Sequence, residues 1–210
     1  MSDYQQYDPY QKSDYKNLRL HPLKIYLTLL LAGVTMLFVG MTGSYIYQRV
    51  VMNIEPIALP ITFVLNTIFL VGSSVTFLQA KKAYLKDDTD AYKRYLFFTL
   101  ILTLLFVIGQ SLAWVDMVNR SLLPSSGPGV GYIYAIAILH IIHVFAGLPF
   151  FGVFLYNAIK RMKEPVSVLI YFSDPEKKLR LRLLEVYWHY LDILWIVLVL
   201  FFTFNYLIQF

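Results

Sequence analysis

The feature that most constrains this chain is a series of five long apolar runs. Each run has at least 21 residues, and about 20 apolar residues in a helix span a hydrocarbon core ~30 Å thick. Asp, Glu, Lys and Arg are absent from the first four runs, and the fifth contains only Glu185 and Asp192. We therefore predict an all-α, polytopic membrane protein with five transmembrane helices. The runs are residues 25–47, 57–80, 95–115, 131–157 and 184–208.

Composition agrees with this prediction and excludes several classes of chemistry. The chain is 58% hydrophobic and 15% charged, which is far from the balance of a soluble domain. Because it has no cysteine, a disulfide framework, a thiolate metal site and a cysteine nucleophile are excluded. The net charge of +5 comes from loops and tails beside the predicted membrane, so we expect no nucleic-acid partner.

The distribution of basic residues predicts the orientation of the chain. Residues 1–24 are polar and lack the apolar core of a signal peptide, so we expect a cytoplasmic tail followed by one five-helix domain, residues 25–210. Of the 18 Lys and Arg residues, 16 lie in this tail and in the second and fourth connections. Arg49 and Arg120 are the two on the opposite side. By the positive-inside rule, the N-terminus is cytoplasmic and the C-terminus is outside.

Two further patterns bear on packing. The longest connection, residues 158–183, mixes apolar and basic residues and could lie partly on the membrane surface. In the first run, Gly33, Gly40, Gly43 and Ser44 place small residues along one helix face, which predicts close approach of another helix.

A polar stripe lies in the fifth run. Glu185, His189 and Asp192 are spaced four and three residues apart, so on an α-helix they share one face. Ionisable side chains inside a bilayer are costly and need partners. From the residues we favour a structural interpretation, in which these groups pair with each other, with lipid headgroups or with a neighbouring subunit. Trp188 and Trp195 would then act as interfacial anchors.

Two other interpretations of the stripe remain open. One is a proton or ion pathway of an independent transporter, although the first three spans supply no charged group to continue it. The other is a free-standing membrane metalloenzyme that uses His140, His143 and His189. Counting from the predicted span ends places His143 and Asp192 about 8 Å apart in depth, which disfavours shared metal binding.

The stripe also carries a resemblance to a known family. The segment Glu185-Val-Tyr-Trp-His-Tyr-Leu-Asp-Ile-Leu-Trp195 resembles the Glu-x-x-x-Trp-His-Phe-x-Asp-x-x-Trp signature of heme-copper oxidase subunit III. Asn-Thr-Ile-Phe-Leu-Val-Gly-Ser-Ser-Val-Thr at 66–76, Ile-Gly-Gln at 108–110 and Leu-His-Ile-Ile-His-Val-Phe-Ala-Gly at 139–147 are similar to other segments of that family. The five-span count resembles the shorter bacterial form of cytochrome c oxidase subunit III.

The resemblance implies an accessory role in an aerobic respiratory oxidase of a bacterial plasma membrane. It implies a subunit packed on oxidase subunit I, in a complex with subunit II, that encloses phospholipid and helps protons reach the catalytic subunit. Heme and copper are expected in the partner subunits, and no catalytic, cofactor-binding or metal-binding residue is expected in this chain. The positions that match the family's polar and aromatic residues are assigned to lipid and subunit interfaces: His140, His143, Glu185, Trp188, His189, Asp192 and Trp195.

One segment departs from the family pattern. The family usually has a Ser-Glu pair in the first of these spans, where this chain has Gly33 and Val34. A direct role for a carboxylate at that position is therefore not predicted. Quinol oxidase subunit III and the subunit-III-like proteins of nitric oxide reductase clusters remain alternatives within the same superfamily.

Overall fold

The computed structural model describes residues 21–162 and 165–208, and these residues form the all-α protein that the sequence predicts. Among the helices in these two ranges, five are long and apolar enough to cross a membrane. A shorter helix of nine residues connects the fourth span to the fifth. The helices are α1 (Pro22–Met52), α2 (Ile61–Leu85), α3 (Thr89–Asn119), α4 (Pro128–Arg161), α5 (Pro165–Ser173) and α6 (Pro175–Leu207).

Two features of the sequence prediction are not tested by these helices. The predicted tail falls mostly outside the described residues, so its division from a 25–210 domain stays a prediction. The orientation also stays a prediction. We use "inner" for the end of the bundle that is predicted to face the cytoplasm and "outer" for the opposite end.

The last spanning helix begins nine residues earlier than the apolar run predicts. Asp174 is its N-cap, and its carboxylate accepts hydrogen bonds from the backbone N–H groups of Glu176 at 2.9 Å and Lys177 at 3.4 Å. Pro175 follows at the first helical position, which suits a residue without an N–H donor. The backbone N–H of Glu176, followed by the contacts with Lys177, holds the pKa of the Asp174 carboxyl below its usual value. Capping chemistry, and not hydrophobicity, therefore sets the start of α6 in the basic connection.

Helices α2 and α3 form the closest pair in the bundle. They are joined by three residues, of which Asp87 takes a left-handed conformation with φ 56°. Near the start of α2, the Asn66 side chain lies against Gly109 of α3, where an added Cβ would come within 2.2 Å of Asn66 Oδ1. The Asn66 amide donates to the Phe106 carbonyl at 2.9 Å, so the contact is both close and polar. The small residue that allows this approach is Gly109 in α3.

Helix α1 packs differently from the sequence prediction. A Cβ built on Gly33, Gly40 or Gly43 would meet no atom within 4 Å, and Ser44 is exposed. Larger side chains of α1 face the bundle, since its four buried residues are Val34, Phe38, Tyr45 and Arg49. Within this chain the prediction that the small residues form the packing face of this span is therefore wrong. The large side chains of α1 occupy its buried face, and the spacing of the glycines alone does not predict this.

Candidate functional site

The polar stripe of α6 faces α2, and the two antiparallel helices are joined by side-chain contacts at three levels. At the inner level, Lys81 Nζ lies 2.6 Å from Glu185 Oε2. The side chain of Glu185 is 8% exposed and that of Lys81 is 33% exposed, so a partly exposed lysine pairs with a buried carboxylate. Glu185 therefore has its partner inside this chain, in agreement with the expectation that a carboxylate at this depth must be paired.

The middle level joins Ser74 of α2 to His189 of α6. Ser74 Oγ lies 2.6 Å from His189 Nδ1, and Asp192 Oδ2 lies 3.9 Å from the same ring nitrogen. A nucleophilic relay needs the hydroxyl and the carboxylate on opposite nitrogens of the imidazole. Because both partners face Nδ1, this arrangement links two helices and does not have the geometry of a hydrolytic triad.

The outer level joins Thr67 to Trp195. The indole Nε1 of Trp195 donates to Thr67 Oγ1 at 3.2 Å. Thr67, Ser74 and Lys81 are spaced seven residues apart on α2, which keeps them on one helix face. We call these three pairs, Thr67–Trp195, Ser74–His189 and Lys81–Glu185, the polar ladder.

Asp192 lies beside the ladder and is 7% exposed. Its Oδ2 atom has no hydrogen-bond partner among the described residues. With Ser73 and Thr103 it lines a cavity of about 10 Å³. A volume of this size corresponds to about one water molecule, so the space beside Asp192 cannot hold a substrate.

The two histidines of α4 have separate environments. His140 is fully buried, with its ring centroid 4.9 Å from that of Trp195 and 5.9 Å from that of Phe106. His143 turns toward α1, where its ring lies 6.0 Å from Phe38, and its Nδ1 is 2.7 Å from the Leu139 carbonyl. Both rings pack against residues of neighbouring helices, and they do not point to a common centre.

The depth predicted for these histidines is wrong. His140 lies opposite Trp195, and an added Cβ on Gly147 would lie 3.5 Å from the Trp188 ring, which fixes the antiparallel register of α4 and α6. In this register His143 is level with Asp192, instead of about 8 Å away. The error arises because α6 begins well before its apolar run, so the two predicted span ends are not at the same depth.

His143 and Asp192 lie at the same depth, but their side chains point in different directions. His143 points toward α1, whereas Asp192 lines the cavity with residues of α2 and α3. Within the described ranges, 21–162 and 165–208, no group of three or more His, Asp or Glu residues is placed to hold a metal ion.

The two tryptophans beside the polar stripe lie inside the bundle. Trp188 is 4% exposed and packs against Phe77 and Phe151, while Trp195 is 2% exposed and stacks on Phe63 at 6.0 Å. The buried position of both indoles differs from the interfacial anchors predicted above. The face of α6 that carries Glu185 and Asp192 packs against α2 and α4, and both indoles lie on that buried side.

The structure places five of the seven predicted interface residues in the interior of this chain. His140, Glu185, Trp188, Asp192 and Trp195 are buried, and only His143 and His189 are partly exposed. Their assignment to lipid and subunit interfaces stays a prediction.

The α2 half of the polar ladder is the part that sequence reasoning missed. Lys81 lies in the second basic connection and Ser74 in the 66–76 segment, and neither position is predicted to contact the stripe. A usable signal was present, because polar residues recur every seven positions in α2 opposite a polar stripe of α6.

Five apolar helices that are long enough to cross a membrane, two of which are joined by the polar ladder, define a polytopic helical membrane protein. The chain belongs to the cytochrome c oxidase subunit III family, whose profile matches residues 37–207. It is 30% identical over 176 residues to a protein of Nocardia farcinica named probable cytochrome c oxidase subunit 3, and the match covers 79% of each chain.

Two other relatives carry the name cytochrome c oxidase subunit 3. The protein of Thermostichus vulcanus is 24% identical over 140 residues, which is 64% of this chain and 61% of the relative. The protein of Corynebacterium diphtheriae is 25% identical over 130 residues, which is 62% of this chain and 58% of the relative. The family resemblance drawn from the sequence motifs is confirmed.

Proposed function

We propose that this chain is the non-catalytic accessory subunit III of a proton-translocating terminal oxidase that reduces oxygen to water. The observation that carries the proposal is the family match over residues 37–207, which includes the whole polar ladder. Subunits I and II are the proposed partners, and they would hold the heme and copper. The ladder supports a structural role, since Lys81 and Ser74 of α2 engage Glu185 and His189 of α6 within the chain.

The proposed role toward subunit I is to stabilise it during turnover. Because many polar side chains have partners inside the bundle, its exposed faces are largely apolar. Leu29, Met36 and Ile68 on these faces are each more than 60% exposed. Such faces suit lipid and the apolar helices of a partner. A rigid subunit with apolar faces can hold neighbouring helices in place without taking part in electron transfer.

The proposed binding of phospholipid is supported by a groove between α2 and α6. The groove has a volume of about 340 Å³ and opens to the surface at the outer half of the helices. Apolar side chains dominate its lining, which suits an acyl chain and offers little to a polar ligand. It is lined by Val64, Thr67, Ile68, Val71, Ile196, Val199 and Leu200.

Support of proton uptake is proposed as an indirect effect on subunit I. At the position where the family usually has a carboxylate, this chain has Val34, which is 7% exposed and packs in the apolar interior. A valine cannot exchange a proton. Any contribution to uptake would then come from holding subunit I and its lipid in place.

The proposed location is a bacterial plasma membrane, with the N-terminus in the cytoplasm. The five apolar helices support a multi-pass protein, and 16 of the 18 Lys and Arg residues fall on the inner side. Subunit III of a quinol oxidase, or a subunit-III-like protein of a nitric oxide reductase, is the alternative within the superfamily.

A free-standing metalloenzyme is the alternative from another class. It would require His140, His143 and His189 to meet at one metal. The three rings instead contact Trp195, Phe38 and Ser74 respectively. The geometry therefore favours the accessory subunit.

Purification of the tagged chain in mild detergent tests the proposed function. We expect heme-bearing subunits to co-purify, with an optical heme spectrum and oxygen consumption in the same fraction. The variant His143→Ala should retain the full heme and copper content of the complex. The proposal would be abandoned if the chain purified alone with stoichiometric iron, copper or zinc that His143→Ala or His140→Ala removed.

A further inference from the structure

The carboxyl group of Asp192 is buried where α2, α3, α4 and α6 meet. Its residue is 7% exposed, and its Oδ2 atom has no hydrogen-bond partner among the described residues. The small cavity beside it is lined from all four helices, and every other side chain in its wall is one that carries no charge at any pH. A charge on Asp192 would therefore have to be balanced from outside this wall.

The two hydroxyl groups in the cavity wall already donate elsewhere. Ser73 Oγ donates to the Leu70 carbonyl at 2.9 Å, and Thr103 Oγ1 donates to the Thr99 carbonyl at 2.8 Å. A hydroxyl has one hydrogen and two lone pairs, so both oxygens can still accept a hydrogen bond but have none left to donate. An ionised Asp192 would add one more acceptor to a wall that lacks a donor.

His189 is the nearest titratable group, and its contacts do not suit a counter-ion. Its Nδ1 lies 2.6 Å from Ser74 Oγ but 3.9 Å from Asp192 Oδ2, which is beyond hydrogen-bonding distance. Its Nε2 is buried without a partner among the described residues. An imidazolium carries a hydrogen on both nitrogens, so a charged His189 would bury a charged donor that has no acceptor.

The remaining contact of Asp192 is a neutral one. The Ser74 hydroxyl hydrogen-bonds to the Asp192 carboxyl, which is possible together with the His189 contact if His189 Nδ1 donates to Ser74 Oγ. This order of donors leaves Nε2 of the ring as a bare acceptor, which is cheaper to bury than a bare donor. One hydroxyl donor does not balance a full negative charge in the interior of a bilayer.

The other ionisable groups near this depth are engaged elsewhere or point away. Lys81 of α2 pairs with Glu185 at 2.6 Å, and Glu185 lies seven residues from Asp192, which is about 10 Å along α6. On α4, His143 turns toward α1. His140 is fully buried, and neither of its ring nitrogens has a hydrogen-bond partner among the described residues, so a charge there would be as costly as one on Asp192.

We infer that Asp192 is a proton-binding site, and that its carboxyl group is a neutral carboxylic acid at neutral pH. The O–H group supplies the donor that the cavity wall lacks. Its acceptors are Ser73 Oγ of α2 and Thr103 Oγ1 of α3, reached by a side-chain rotation or through the single water molecule for which the cavity has room. Only contacts within this chain enter the inference, so it stands apart from the proposed oxidase function.

The two carboxyl groups of the polar stripe are then accommodated in different ways. Glu185 has a cation 2.6 Å away and is stabilised as one half of an ion pair. Asp192 has no such partner and is stabilised by taking up a proton. Because no second titratable side chain lines the cavity, the proton on Asp192 is held there and connects helices through hydrogen bonds.

Infrared spectroscopy tests this inference, because the C=O stretch of a carboxylic acid is separate from the stretches of a carboxylate. The protein is purified from its native membrane at neutral pH with its bound subunits, with and without ¹³C in the side-chain carboxyl of aspartate. We expect an acid C=O band that moves to lower frequency with the label and is lost in Asp192→Asn. The yield of assembled protein should not change in this variant, since asparagine is a neutral side chain of the same shape.

Glu185→Gln is the matched control. It also replaces a buried carboxyl of α6 by a neutral amide, but Glu185 pairs with Lys81. The Asp192 band should keep its full intensity in this variant. The inference is overturned if the unaltered protein has no label-sensitive acid band, or if that band is unchanged in Asp192→Asn.

Two further variants decide the matter where Asp192→Asn does not assemble. Ser73→Ala/Thr103→Val removes both acceptors, so the C=O band of the acid should move to higher frequency as its O–H loses hydrogen bonding. His189→Gln should leave the band unchanged. If Asp192 were instead a carboxylate balanced by a charged His189, the double variant would shift no acid band and His189→Gln would create a new one, and either result overturns the inference.

Discussion

Helices α1 and α2 both pack on α6, but they are attached in different ways. Helix α2 is joined to α6 along most of its length by the polar ladder and is held on its other side by α3 through Asn66 and Gly109. Helix α1 is joined to the bundle through its outer two thirds, and its strongest polar contact is at one end. In a bilayer, where apolar contact with lipid competes with apolar contact between helices, the spacing of polar contacts decides how rigidly a helix is held.

The contact of α2 with α3 should be the most sensitive point. In Gly109→Ala the new methyl group would lie 2.2 Å from Asn66 Oδ1, so the two helices must separate or the Asn66 amide must give up its bond to Phe106. We expect a loss of about 3 kcal/mol in the free energy of unfolding, measured by SDS titration in mixed micelles with circular dichroism.

Gly40→Ala on α1 is the control for that experiment, because a Cβ at Gly40 meets nothing within 4 Å. It should change the free energy of unfolding by less than about 0.5 kcal/mol. If Gly40→Ala proved as harmful as Gly109→Ala, the contrast between the tightly held α2 and the loosely held α1 would be lost.

The inner level of the polar ladder should come next. Lys81→Ala leaves Glu185 buried without its partner, and we expect a loss of about 2 kcal/mol, below the range for fully buried pairs because Lys81 is 33% exposed. The double variant Lys81→Met/Glu185→Met should recover most of that loss. A double variant less stable than Lys81→Ala would show that the charges themselves, and not the need for a partner, hold this level together.

The middle level should give the smallest effect of the three. Ser74→Ala removes the hydroxyl that lies 2.6 Å from His189 Nδ1, and a loss of about 1 kcal/mol is expected for one hydrogen bond. Ser44→Ala changes the same residue type on the exposed face of α1 and should be silent in the same titration. Equal effects of the two substitutions would remove the middle level from the ladder.

The sequence predicted the class of this fold well because the hydrophobic thickness of a membrane sets a length that can be counted. Each of the five apolar runs overlaps one spanning helix along most of its length, with only residues 57–60 and 208 outside the helices, and the motif at 185–195 indicates the family that the comparison confirms. Helix ends were predicted less well, since α6 begins at a cap formed by Asp174 and Pro175 in a basic segment. That error of nine residues produced the wrong depth for His143.

The contacts of the polar stripe could be predicted only in part. Its spacing correctly placed Glu185, His189 and Asp192 on one face of α6, but no single helix reveals what that face meets. The partners Lys81 and Ser74 lie more than 100 residues away along the chain. Their match depends on the register of two antiparallel helices, which is set by side-chain packing across the whole bundle and not by local pattern.

The polar ladder also imposes an order on biogenesis. Lys81 and Ser74 are synthesised about a hundred residues before Glu185 and His189, and chains are made and inserted from the N-terminus. Before α6 is synthesised, Lys81 and Ser74 of the α2–α3 hairpin lack their partners Glu185 and His189. A chain that stopped before α6 would therefore leave Lys81 and Ser74 without the partners that they have in the folded protein.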